Sequence, residues 1–294
     1  MINHYFADVN SIRMHYATKG TGKLLLMLHG FPEYWGVWKR LIDSFSKKFH
    51  VVAPDLRGYN LTDKPQDTSM YHISHLVEDI RALTEHLGHD TFYLAAQDWG
   101  AQVAWSFIFR YPERVEKLIS LNATHPALFN RELQTNPEQQ KASQYMLMFR
   151  SPQAEDIISD KDYGWFREII FSPLLQKSVI SEEEIDEWVD AWNQPGAITG
   201  GLNYYRASVI GPPDGTGSKG GSNILEDLSP ESLKVTVPTL LLYGENDPYR
   251  LPGSLIGLEE YVENLTIKRI PNAGHWICIE KTEVVETMIR KFLC

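Results

Sequence analysis

Apolar residues in the first 125 positions come in short unbroken runs separated by helical patterns. Leu24-Leu-Leu-Met-Leu28 stops at His29-Gly30, and Phe49-His-Val-Val-Ala53 stops at Pro54-Asp55. Runs of this length predict strands buried on both faces of a parallel sheet. Ile73, Leu76, Val77, Ile80, Leu83 and Leu87 then recur at helical spacing, and Gly88 supplies a stop signal. Phe92-Tyr-Leu-Ala-Ala96, a helix beginning near Gly100 and a further run from Leu118 to Leu121 continue the alternation. Strand–helix alternation of this kind reads as βαβ units.

The rhythm breaks after His125-Pro126. From Leu128 to Ser232 the chain is mostly helical in pattern, with a capping box predicted at Ser181-Glu-Glu-Glu184. Ile185, Trp188, Val189 and Trp192 follow as one apolar stripe, which makes the acids of residues 182–190 that helix's solvated face. Gly211 to Asn223, rich in Gly, Pro and Ser, reads as a surface loop. Strand patterns resume over Val235–Tyr243 and Leu265–Ile270. The expected plan is an α/β core of residues 1–127 and 233–294 with a helical insertion at 128–232.

Composition narrows the class without naming a chemistry. Hydrophobic residues are 43% and charged residues 22% of the 294, an ordinary globular balance that excludes disorder. The net charge of −10 argues against a nucleic-acid surface or an anionic membrane as partner. Cys278 and Cys294 are too few for a disulfide framework or a cysteine-rich zinc site, so a reducing compartment is expected. No basic region followed by an apolar stretch opens the chain, and Leu24–Leu28 is far short of the ~20 residues of a membrane span. A cytoplasmic enzyme is the default expectation.

Candidate chemistry sits where strands end. Ala96-Gln97-Asp98-Trp99-Gly100 has the form small-x-nucleophile-x-small of a nucleophile elbow, with aspartate in the central place. Asp98 could instead simply cap the helix after it. His29-Gly30-Phe31-Pro32 follows the earlier strand, where hydrolases of this kind place a second oxyanion-hole loop. The expected donors are the backbone N–H groups of Phe31 and Trp99. Asp247, in Gly244-Glu-Asn-Asp-Pro248, falls at a strand's C-terminal end, where α/β sheets bind ligands. His275 follows the last strand, and the order nucleophile, acid, base matches the α/β-hydrolase arrangement.

With these motifs the chain resembles the epoxide hydrolases of the α/β-hydrolase fold. His29-Gly-Phe-Pro-Glu33, Asp55-Leu-Arg-Gly-Tyr-Asn60 with Asp63-Lys-Pro65, Asp98-Trp-Gly100 and Gly274-His275 carry the resemblance, which runs along nearly the whole chain. It implies a mostly parallel sheet and makes the insertion a helical cap. Gln144-Tyr145 and Asn203-Tyr-Tyr205-Arg206 match the cap positions whose tyrosines bind the epoxide oxygen, which assigns that role to Tyr145 and Tyr205 rather than Tyr204. The implied reaction opens an epoxide to a vicinal diol through an ester on Asp98. Water activated by His275, itself oriented by Asp247, hydrolyses that ester, and no cofactor or metal is needed. Substrate contacts are expected from His29, Trp99, Tyr145 and Tyr205, with a small apolar epoxide and water as reactants; a homodimer stays open. Gln97 departs from the histidine usual in the family. The rival readings are a haloalkane or haloacid dehalogenase with the same nucleophile, and a non-catalytic protein on the hydrolase fold.

Overall fold

The computed structural model describes residues 1–293; Cys294 lies outside them. Eight strands form one sheet in the order β1-β2-β4-β3-β5-β6-β7-β8, with β1 (Asn3–Val9), β2 (Ile12–Lys19), β3 (Leu24–Leu28), β4 (His50–Pro54), β5 (Phe92–Gln97), β6 (Val115–Leu121), β7 (Thr239–Gly244) and β8 (Leu265–Ile270). From β4 to β8 all pairings are parallel, as the sequence pattern predicts, and every residue of β3 and β7 is buried. The core helices are α1 (Lys39–Phe45), α2 (Ile73–His86) and α3 (Asp98–Arg110). Between β6 and β7 the chain runs through α4 (Pro126–Thr135), α5 (Pro137–Ala142), α6 (Tyr145–Arg150), α7 (Ala154–Phe166), α8 (Ser172–Gln176), α9 (Glu182–Trp192) and α10 (Ala197–Ser208). Two helices close the described chain, α11 (Ile277–Glu280) and α12 (Thr282–Leu293).

Three features depart from the sequence pattern. The antiparallel hairpin β1–β2 is unforeseen, because β1 is an edge strand with His4, Tyr5, Phe6 and Asp8 exposed and so has no apolar run. Its turn, Asn10-Ser11, takes positive φ at both residues, which Asn tolerates. The strand expected from Val235 begins only at Thr239: Pro238 has no N–H to donate, and Val235 makes an isolated bridge to Val262. The helix expected near Gly100 starts two residues earlier, at Asp98.

The insertion is fastened to the sheet half by specific contacts. Ser181 and Glu184 form the predicted capping box, and the stripe Ile185, Trp188, Val189 and Trp192 is buried. The acids of α9 are not all idle, however. Glu184 accepts from Arg40 at 2.8 Å and Glu187 from Lys39 at 2.7 Å, so two of them reach the core. Trp192 donates its indole N–H to the Pro32 carbonyl at 2.6 Å, and Tyr204 donates its hydroxyl to the Arg57 carbonyl at 2.9 Å. Among the described residues no helix is long and apolar enough to cross a membrane.

Arg57 is itself a buried anchor. Its guanidinium is held by both Asp79 oxygens, at 2.5 and 2.7 Å, and by the Asn10 carbonyl at 3.2 Å. Removing one partner of such a pair leaves a buried charge uncompensated. Asp79→Ala is therefore expected to lower unfolding free energy by about 3–5 kcal/mol. Urea denaturation measures this, and a loss under about 1 kcal/mol would mean that water takes over the role of Asp79.

Candidate active site

The centre of the site is a tight turn from β5 into α3. Asp98 stands at that turn with φ +47°, a left-handed conformation that costs a non-glycine residue about 1–3 kcal/mol and persists only when its surroundings enforce it. The surroundings are two glycines. A Cβ on Gly30 would lie 2.4 Å from the Asp98 Cβ, and one on Gly100 would lie 2.4 Å from the backbone oxygens of Leu28 and His29. Adjacent strands β3 and β5, paired at Leu28 and Ala96, thus press the Gly30-Phe31 loop onto the elbow. The Phe31 N–H donates to Asp98 Oδ1 at 2.9 Å, as expected of an oxyanion-hole amide.

Asp98, Asp247 and His275, distant in sequence, converge. Asp247 Oδ2 lies 2.8 Å from His275 Nδ1, and its Oδ1 accepts the backbone N–H groups of Tyr249 and Arg250 at 2.7 and 3.1 Å. His275 Nε2 faces Asp98 Oδ2 at 3.7 Å. Nδ1 donates to Asp247, which turns Nε2 toward the nucleophile. The loop bearing His275 is braced at its carbonyls by Asn122, which donates to Gly274 and His275 at 2.9 and 2.8 Å. Burial lowers the imidazole's proton affinity, but the carboxylates of Asp247, Asp98 and Glu33 outweigh it and raise the pKa to about 9.

Glu33 is a third buried acid of the site, given no role by the motif it closes. It accepts the Gly30 N–H at 2.7 Å and the Gln97 side-chain amide, and burial pushes its pKa up to about 7. Gln97, the departure from the family pattern, also accepts the Cys278 thiol at 3.0 Å. Its amide therefore bridges Glu33 to the helix that follows His275.

Above these groups lies a pocket with about 370 Å³ of empty space, part of it open to solvent, walled by Asp98, His275, Phe31, Pro32, Tyr145, Phe149, Trp165, Phe166, Ile169, Ile170, Tyr205, Tyr249 and Trp276. Both expected tyrosines are on its wall. Their rings each contact Phe149, at centroid distances of 5.3 and 4.9 Å, and burial raises both phenol pKa values well above the ordinary range. They stay protonated at neutral pH and can act as acids. Tyr204, whose hydroxyl is committed to Arg57, does not line the cavity.

Two expected substrate contacts are corrected. His29 is fully buried and off the cavity wall; its Nε2 accepts the Leu56 N–H at 3.0 Å and its Nδ1 meets the Gly30 carbonyl at 2.8 Å. It braces the loop instead of touching ligand. Trp99's indole packs edge-on against Tyr204 and Tyr205 and is likewise absent from the wall. Of the apolar insertion residues Met146, Met148, Phe149 and Trp192, only Phe149 faces the cavity. Tyr249, Trp165 and Trp276 line it without a motif to announce them; only the position of Tyr249 beside Asp247 and of Trp276 beside His275 could have pointed there.

Comparison with known proteins is consistent throughout. The family model of the alpha/beta hydrolase fold matches residues 23–282. The chain is 30% identical to epoxide hydrolase 2 of Caenorhabditis elegans over 99% of its own length and 80% of that protein's. It is 33% identical to epoxide hydrolase 4 of Homo sapiens, covering 97% of itself and 76% of the relative. Among solved structures, an inhibitor complex of Bacillus megaterium epoxide hydrolase superposes with a TM-score of 0.91 at 37% identity, covering 98% of this chain and 99% of that one. An elbow aspartate facing a buried Asp–His pair, beneath paired tyrosines, thus occurs in a chain that belongs to the epoxide hydrolase family of the α/β-hydrolase fold.

Proposed function

We propose that the protein opens a small apolar epoxide to a vicinal diol, with residues 128–232 serving as the cap that carries the acid. The observation that carries this reading is the division of labour between the two Asp98 oxygens. Oδ1 is held by the Phe31 N–H, whereas Oδ2 is turned toward His275 in the tyrosine-walled cavity. Oδ2 is therefore the nucleophile, and Oδ1 is the atom on which negative charge develops when the ester is later attacked.

Asp98 Oδ2 attacks a ring carbon, the C–O bond breaks, and the epoxide oxygen takes a proton from Tyr145 or Tyr205. The resulting ester no longer carries the Asp98 charge. One of the three carboxylates that hold the His275 pKa near 9 is thereby removed, so the imidazole gives up its proton more readily. His275 then takes a proton from water, hydroxide adds to Cγ of Asp98, and the Oδ1 oxyanion meets the Phe31 and Trp99 amides. A donor of this kind is worth about 3–4 kcal/mol. Collapse releases the diol.

A dehalogenase would use the same carboxylate and histidine but needs N–H donors for halide on the cavity wall. Here the wall carries the phenols of Tyr145, Tyr205 and Tyr249 as well as the indoles of Trp165 and Trp276, and it is the paired insertion tyrosines, which halide release does not need, that favour ring opening. Diol formation from styrene oxide-type substrates is expected, with no halide from haloalkanes. Halide release without diol from any epoxide would sink the assignment.

Two experiments probe the covalent route. His275→Ala is expected to accumulate an ester on Asp98 visible by mass spectrometry. A single wild-type turnover in heavy-oxygen water should leave the label in Asp98 and an unlabelled diol. Label entering the diol directly would show that water, not Asp98, opens the ring.

The charge coupling between the two residues has its own test. Asp98→Asn imitates the ester's loss of charge, so His275 should titrate below its wild-type value of about 9 in an NMR pH series. The sign follows because a nearby carboxylate favours the protonated imidazole. An unchanged or raised value would remove Asp98 from the control of the base.

A further inference from the structure

Arg250 is a buried cation without an anion. Its residue is 3% exposed, yet among the described residues no carboxylate lies within ion-pair distance of its guanidinium, and Nη1 has no hydrogen-bond partner. What the guanidinium does have is the face of Phe129 in α4, with the central carbon 3.5 Å from the ring centroid. The acids that could answer it are spent elsewhere. Asp247 gives one oxygen to His275 and the other to the backbone N–H groups of Tyr249 and Arg250. Glu132, one turn beyond Phe129, binds Arg131 at 2.9 Å and Asn136 at 2.8 Å. A buried charge left uncompensated is strongly unfavourable, and contact with a ring face offsets only part of that. Such an expense in a folded protein calls for a use.

The position suggests what the use is. Arg250 directly follows Tyr249, a wall residue whose ring lies 5.4 Å from Tyr145 and 5.1 Å from His275. The same loop is held to α5 by Gln139, which donates to the Tyr249 carbonyl at 2.8 Å and accepts the Leu251 N–H at 2.9 Å. The backbone of Arg250 is thus fixed at the seam between core and insertion, directly after the wall residue whose ring packs on Tyr145. Every other ionised acid near those phenols works against them. Asp98 and Asp247 oppose a phenolate at Tyr145, and Asp98 opposes one at Tyr205. Burial is the larger obstacle at both, and Arg250 is the charge that favours the anion at each.

We propose that Arg250 is a positioning residue for ring opening, its unpaired charge making the Tyr145–Tyr205 pair a better proton donor to the epoxide oxygen. The inference rests on the reading of those tyrosines as the acid. As Oδ2 of Asp98 bonds to carbon, the C–O electron pair goes to the epoxide oxygen, which takes a phenol proton. The phenolate left behind is favoured by the Arg250 charge, and the proton that His275 gives up once Asp98 is esterified restores the phenol, leaving the imidazole free to take a proton from water.

Rapid-quench kinetics separates ester formation from ester hydrolysis and tests the proposal. Arg250→Met keeps length and contact with Phe129 but loses the charge, and the backbone N–H on Asp247 is untouched. Ester formation should slow at least about tenfold, with ester hydrolysis within about twofold of wild type. The deficit should shrink in a Tyr145→Phe background, because the two residues act on one proton. Arg250→Lys should restore ester formation near neutral pH and lose it again at higher pH as the buried lysine deprotonates. Equal slowing of both steps, or an undiminished deficit without the Tyr145 hydroxyl, would overturn the proposal. So would a pH profile of the lysine variant no different from wild type, which decides the matter even if the methionine variant fails to fold. Wild-type ester formation in both Tyr145→Phe and Tyr205→Phe would instead refute the acid assignment, independently of what the Arg250 variants do.

Discussion

The site depends on one steric constraint: two strands and a helix meet at Asp98 with no room for a side chain on either flanking glycine. Gly30 and Gly100 each approach neighbouring atoms so closely that a Cβ would sit 2.4 Å from them. That crowding holds Asp98 in the left-handed region, which turns its carboxylate out of the sheet and into the cavity. It also fixes the distance between the Gly30-Phe31 loop and the nucleophile, so an amide waits on Oδ1 before any substrate arrives. Preorganisation of this sort is where an oxyanion hole gets its advantage over water. The strain at the elbow and the readiness of the site are the same fact seen from two sides.

What could be read in the chain divides along physical lines. Strands β3 to β7 lie in the interior of the sheet and so appear as apolar runs; the edge strand β1, solvated along most of its length, does not, and β8 at the opposite edge shows only alternating apolar positions. Pro238 shows why a run can overstate its strand, since hydropathy does not register a missing donor. Asp98, Asp247 and His275 were legible because each must stand at a strand end, next to turn residues that the geometry demands. Tyr145 and Tyr205 were legible only by resemblance, since nothing in a helical pattern distinguishes a tyrosine facing a cavity from one that packs, as Tyr204 does. His29 misled for a related reason. It sits in a motif beside the site, but its two nitrogens are used to hold the loop's backbone. Arg250 and Glu33 left no signal, because burial of a charge depends on long-range packing rather than on neighbours in sequence.

The two parts of the fold divide the chemistry by charge. The sheet half concentrates carboxylates: Asp98, Asp247 and Glu33 all bear on one imidazole and raise its proton affinity, which on the proposed mechanism falls again when Asp98 is esterified. Such a cluster suits nucleophilic attack and base catalysis, but it is a poor place to leave an alkoxide, which would add a further negative charge. The insertion answers this with neutral acids. Phenols bring a proton to the oxygen without bringing a positive charge that the carboxylates would trap in an ion pair. Their weakness as acids, made worse by burial, is the cost of that choice. On the proposed mechanism it is met by a buried cation without a carboxylate partner, Arg250, that bears on the phenols, while Asp247 three residues before it has both its oxygens occupied. On the proposed mechanism one cavity serves displacement and hydrolysis alike, because the imidazole's charge answers the carboxylates while the Arg250 charge favours the phenolates.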